Sequence, residues 1–232
     1  PVPGINTETP YLIYYGDWDS AKLASARDQY ALVVLHPSSN VTAANVAAIQ
    51  EGPDMVKGNA DDVLVLGYVS IGEDDRTAAP IAGDGSGPRV DPRASSDTPL
   101  SEVEAGKTLG DPSPGGTGFA SYYLDRDEDG QPDANSTFGA AFVNAGDPAW
   151  FDALKIMNIG GSGMAGLDEV MGMAGKALNC DGAFLDTLDT AAPDSFGGYE
   201  WTAPGMQTLI RRIHESYPEK ILMANRGIFF FN

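Results

Sequence analysis

Cysteine is almost absent: the 232 residues contain one, Cys180. A disulfide within the chain is therefore excluded, and the apolar neighbours of Cys180 describe a packed thiol, not a reactive one. Basic residues are scarce too, 14 Lys and Arg against 33 Asp and Glu, for a formal charge of −19. Binding a phosphate backbone needs clustered positive charge, so this balance argues against nucleic acid as a partner. The same acidity suits solubility in a salty medium or attraction of a cationic ligand. No apolar run approaches the roughly 18–20 residues that cross a bilayer. PVPGINTETP at the start has neither a basic n-region nor an apolar h-region, so an export signal has been removed or was never there. Also missing are a Ser/His/Asp triad spacing, a P-loop, a GxGxxG after the first strand and an HExxH pair. GGSGMAG (Gly160–Gly166) lies between helical segments with no strand before it and reads as a loop, not a phosphate cradle.

Apolar residues make up 42% of the chain, enough for a full core, and the length suits a single domain over residues 1–232. Five short segments read as strands: Tyr11–Tyr15, Ala31–Leu35, Val63–Ser70, Ala183–Asp186 and Lys220–Ala224. They are apolar almost without interruption, as strands buried on both faces of a parallel sheet are. Between them, Ser20–Gln29, Thr42–Gln50, the stretch opened by Asp147-Pro148, Leu167–Leu178 and Gly205–Tyr217 read as helices, with caps or proline at several ends. Alternating strands and helices predict parallel pairing through helical crossovers. No internal repeat is evident.

After the third strand the pattern lapses. Arg76 to Gly118 is dense in Gly, Pro, Ser and Asp, and the inserted region as a whole runs over residues 76–136. A loop that long in a compact domain is either functional or poorly ordered, and this one follows a strand end, where α/β folds build their sites. Near its end stands DRDEDGQPD. Asp125, Asp127 and Asp129 occupy positions 1, 3 and 5 of a calcium loop, Gly130 the turn, the Gln131 carbonyl position 7 and Asp133 position 9. Position 12 is Ser136 in place of the bidentate Glu of an EF-hand, so the pattern predicts a structural Ca²⁺ site of the extracellular DxDxDGxxD kind, with a solvated acidic turn as the alternative.

All five predicted strands finish in polar or ionisable residues. The first leads to Tyr15 and Asp17, the second to His36, the third carries Tyr68 and Ser70 on one face with Glu73 just beyond, the fourth gives Asp186 and then Asp189, and the fifth Asn225 and Arg226. Each has an ordinary structural reading: Asp17 and Asp19 as the start of a helix, His36 as a bonded loop residue, Ser70 or Asp189 as a cap, Asn225-Arg226 as an internal anchor. Their coincidence at five strand ends points to a site, because parallel α/β folds place reacting groups there. Asp186 is the strongest candidate, since a carboxylate ending a buried strand is costly unless it is bonded or used. Carboxylates beside aromatic walls are the equipment of glycoside hydrolysis. A metal-assisted hydrolase using Asp17, Glu73, Asp186 and Asp189, or a barrel that binds carbohydrate without cleaving it, are the alternatives.

VLGYVSIGEDD, DPAWFDALK, CDGAFLDTLDT and ILMANRG, in that order, resemble the motif series of glycoside hydrolase family 114, the endo-α-1,4-polygalactosaminidase group. The match covers most of the chain outside the insert, and the DGxFLDxxD element is its most specific part. The resemblance implies a (β/α)8 TIM-like barrel of which five strands are recognisable here, and an extracellular or envelope-located enzyme that hydrolyses a galactosamine-containing exopolysaccharide. It places the family's catalytic strand-four Asp on Asp186 and a substrate-binding or structural Glu on Glu73. Its second catalytic carboxylate, a Glu, belongs to a strand later than ILMANRG and is expected beyond Asn232.

Overall fold

The computed structural model describes residues 5–37, 40–74, 108–109, 122–124, 126, 132–156, 166–172, 178–193 and 199–227. Five parallel strands form its centre: β1 (Tyr11–Tyr14), β2 (Leu32–Leu35), β3 (Leu64–Ser70), β4 (Gly182–Asp186) and β5 (Ile221–Ala224). They stand side by side in the order in which they occur along the chain. These are the five segments expected from the apolar runs, shifted by no more than one residue at either end.

Helices α1 (Ser20–Gln29), α2 (Ala43–Gln50), α3 (Pro148–Ile156), α4 (Leu167–Met171) and α5 (Ala203–Ser216) occupy the connections. Their ends follow local chemistry. Asp19 caps α1 by accepting from the Lys22 N–H, and Thr42 and Asn45 close a reciprocal capping box on α2. The helix expected over Leu167–Leu178 is shorter than its sequence pattern. It stops at Gly172, whose φ of +92° is the left-handed conformation that ends helices.

Alternation along the strands sorts side chains to two faces. Val33, Leu35, Val65, Val69, Ala183 and Leu185 enter the main core with Ala26, Val46, Trp150, Val170 and Ile213 from the helices. Leu32, Val34, Leu66 and Phe184 form a smaller cluster on the other face, with Tyr68 packed against it. That second face leads upward to the polar strand ends. Cys180 is buried below β4, where burial and then the charge of Asp181 push its thiol up to about 12, in keeping with a packed, unreactive group.

The inserted region and the residues flanking it form short pairings that the composition conceals. Glu73–Asp74 pairs antiparallel with Ala141–Phe142, and Thr108–Leu109 with Tyr123–Leu124. Tyr122 and Tyr123 are fully buried in the main core, Tyr122 against Trp150. Trp150 in turn donates its indole N–H to the Ile71 carbonyl at 2.8 Å, so the end of the insert is fastened to the end of β3. Among the described residues no helix is long and apolar enough to cross a membrane.

Candidate active site

A cleft of about 1050 Å³ opens above the C-terminal ends of the strands. Because the strands are parallel and in register, Ser70 lies opposite Asp186 and Tyr68 opposite Phe184. Asp186 therefore stands between donors from its two neighbouring strands. Tyr68, from β3, donates its hydroxyl to Asp186 Oδ2 at 2.8 Å, and Asn225, just past β5, donates Nδ2–H to Oδ1 at 2.6 Å. Both oxygens of a half-buried carboxylate are thus held, which offsets its desolvation and fixes its plane toward the cleft.

Aromatic rings form a wall beside it. Tyr15 meets Tyr68 edge-on with centroids 5.4 Å apart, His36 tilts against Tyr68 at 5.1 Å, and Tyr68 stacks on Phe184 at 6.4 Å. Burial, and then the negative charge of Asp186, raise the Tyr15 phenol above its ordinary range, so it remains a proton donor. Burial pushes the His36 imidazole below 6.5, against a smaller opposing effect of a hydrogen bond with the Pro37 backbone.

Glu73 is 6% exposed and accepts from Asn135 Nδ2–H at 3.1 Å. Asp189 faces the cleft paired with Arg226 at 3.1 Å, an exposed contact that water and salt screen. Of the residues expected at the strand ends, Tyr15, His36, Tyr68, Ser70, Glu73, Asp186, Asp189, Asn225 and Arg226 all line this one cleft. Asp17 does not. It is exposed, and its carbonyl accepts from the Tyr14 hydroxyl and from Lys22 Nζ. Among the described residues no three His, Cys, Asp or Glu side chains converge as metal ligands would, Asp17, Glu73, Asp186 and Asp189 included. Of the calcium-loop residues, Asp125, Asp127, Asp129 and Gln131 lie outside the described residues. Asp133 lies within them, its Oδ2 accepting from the Arg126 N–H and the Tyr199 hydroxyl.

A residue that sequence reasoning passed over shapes the rim. Thr187, directly after Asp186, has φ +62°, a conformation that is a true outlier for a β-branched residue. Its Oγ1 accepts the Gly72 N–H at 2.8 Å and lies 3.0 Å from Ser70 Oγ and 2.6 Å from the Asp186 carbonyl. Ser70 has committed its own proton to the Glu73 carbonyl at 2.6 Å, and the single Thr187 hydroxyl proton points to the Asp186 carbonyl at 2.6 Å or to Ser70 Oγ at 3.0 Å. Gly72 must be glycine, since a Cβ there would sit 2.1 Å from the Thr187 carbonyl oxygen. The β3 and β4 ends are thereby pinned together around Asp186. Asn135, Phe138 and Phe142, from the segment that leads out of the insert and pairs with Glu73–Asp74, also line the cleft, as does Tyr199. No alternation or strand-end signal marks them, because they reach the cleft only by tertiary folding.

A parallel α/β sheet with a carboxylate-and-aromatic cleft at its strand ends is the class of structure that the chain forms. No protein-family model matches the sequence, and no curated protein does. The fold is similar to that of the glycoside hydrolase domain of PelA from Pseudomonas aeruginosa, with TM-score 0.52 at 16% identity over 95% of this chain. It is likewise similar to a variant of that domain in which a glutamate is replaced by alanine, with TM-score 0.50 at 17% identity over 94% of this chain. The chain spans 61% and 60% of those two domains.

Two outcomes test this geometry. Thr187→Val keeps the side-chain shape and the backbone strain but deletes the hydroxyl, and is expected to lower unfolding free energy by about 1–3 kcal/mol in urea titrations. An unchanged midpoint would mean that the hydroxyl contacts do not fasten the rim. For His36, the folded-state pKa lies below the ordinary 6.5, so the unfolded chain takes up the extra proton first. Its contribution to stability is complete above pH 6.5 and is lost as the pH falls from there through the folded value. His36→Gln should flatten the fall of the urea midpoint below that pH, and an equal slope in both proteins would assign the fall to other groups.

Proposed function

We propose that the protein is a glycoside hydrolase that cleaves a galactosamine-containing polysaccharide outside the cytoplasm, with Asp186 as a catalytic carboxylate. The observation that carries this reading is the fixed presentation of Asp186 at the end of β4, with Tyr68 and Asn225 on its two oxygens and aromatic rings beside it. A glycosidic bond breaks through an oxocarbenium-like transition state, and a carboxylate held at the reacting carbon stabilises that charge or attacks it. Tyr68 and Asn225 position the carboxylate, so no reorganisation is needed as charge develops. The aromatic wall excludes water and offers flat apolar surface to sugar rings.

The substrate class is what the resemblance to the family 114 motif series implies, and charge agrees with it. Partly deacetylated galactosamine polymers are cationic, and a chain of net charge −19 with Glu73, Asp186 and Asp189 lining its cleft concentrates them. The fold likeness to the glycoside hydrolase domain of PelA supports hydrolysis of a glycoside, without indicating which one. An eight-stranded closure is part of the proposal. It is supported by the chain-order arrangement of the parallel strands β1 to β5.

The test is cleavage of galactosamine oligosaccharides by the full-length protein, followed by chromatography of the products. Asp186→Asn is expected to keep the circular dichroism spectrum and melting temperature of the wild type and to lose activity by ~100-fold or more. Cleavage at the wild-type rate would remove Asp186 from the chemistry. Oligosaccharide binding with no cleavage by the wild type would favour a carbohydrate-binding role instead.

A further inference from the structure

We infer that the hairpin over residues 134–141 is a saccharide subsite whose platform is Phe138, taking the apolar face of a sugar ring at the cleft rim. The inference rests on the glycosidase reading above and extends it to residues outside the strand ends. Phe138 is 80% exposed, the highest value among the exposed large hydrophobic side chains of the described residues, yet it lines the same cleft as Asp186. Exposed apolar side chains scattered singly are ordinary, and what sets Phe138 apart is that its ring borders the cleft that Asp186 faces, where a bound ligand would cover it.

The hairpin holds that ring in a built position. Ala134 bridges Ala141, and Ala141–Phe142 pairs with Glu73–Asp74, so the loop is tied to the segment just beyond β3. Asn135 organises the tip: its backbone exchanges bonds with Ala140 and Gly139, and its Oδ1 accepts the N–H groups of Thr137 at 2.9 Å and Phe138 at 3.4 Å. The same side chain donates Nδ2–H to Glu73 Oε1. One residue thus couples the backbone carrying Phe138 to an acid of the cleft floor. A pyranose ring has a face of C–H groups that matches the negative face of an aromatic ring, and its hydroxyl and amino groups remain free for the carboxylates below.

Phe138 is 80% exposed at the rim and Asp186 is half-buried, and the proposal assigns them to different sugar rings, with the ring on Phe138 outside the bond undergoing cleavage. A short ligand filling the cleft floor leaves Phe138 uncovered, and a longer one reaches it. Length dependence is therefore the signature.

The experiment titrates the full-length protein carrying Asp186→Asn with galactosamine oligosaccharides from disaccharide to hexasaccharide by calorimetry. Adding Phe138→Ala is expected to weaken binding of the longer oligomers ~3- to 10-fold and to leave the disaccharide unchanged, and Phe138→Trp should restore the longer ones. Equal affinities of the Phe138→Ala protein and its parent at every length would overturn the subsite while leaving the glycosidase reading in place. Absence of binding at any length in the parent would overturn both. Binding by the parent without cleavage by the wild type would overturn hydrolysis alone, and the affinity ratios would still decide the role of Phe138.

Discussion

The two hydrogen bonds to Asp186 are the interaction on which the site depends. A carboxylate at the end of a buried strand must be paired or bonded to be tolerated, and here the partners come from the strands on either side. Tyr68 is positioned by the β3–β4 register and Asn225 by the bond from its backbone N–H to the Leu185 carbonyl. The sheet's own ladder therefore aligns the donors. No separate scaffold is required, and a slip of β5 relative to β4 would displace the Asn225 donor.

Strain is concentrated where this arrangement ends. Among the described residues four non-glycine positions have positive φ, and two of them, Thr187 and Arg226, directly follow Asp186 and Asn225. Backbone held in the left-handed region costs of order 1–3 kcal/mol and persists only where surrounding contacts determine it. At Thr187 those contacts are the hydroxyl bonds to the β3 end, together with a glycine that leaves room for its carbonyl. The chain turns sharply after each of the two bonded residues, which lets Asp189 and Arg226 return to the cleft as an ion pair.

Much of this was legible because parallel sheets write themselves plainly. Strands buried on both faces must be apolar throughout, so YLIY, LVVL, LVLGYVS, GAFLD and ILMA stand out, and the polar residues that end them fall together once the strands align. Asp17 shows the limit of that inference: a residue three past a strand end has room to turn away, and its carbonyl serves Tyr14 and Lys22 instead. Leu167–Leu178 was over-read because apolar spacing continues past Gly172, where the backbone conformation ends the helix. The hairpin was illegible for another reason. Its pairing with Glu73–Asp74 spans the whole insert, and Phe138, met in sequence, is one aromatic in a polar stretch. Long-range pairing of two-residue strands leaves no periodicity to detect.

The central claim is that a sugar chain lies across the end of β4 with its reacting bond at Asp186. A crystal structure of the full-length Asp186→Asn protein with a bound galactosamine oligosaccharide tests it most directly. The account predicts an anomeric carbon or glycosidic oxygen in contact with the side chain at position 186, with Tyr68 and Asn225 still flanking it. An oligosaccharide bound away from that side chain would contradict it.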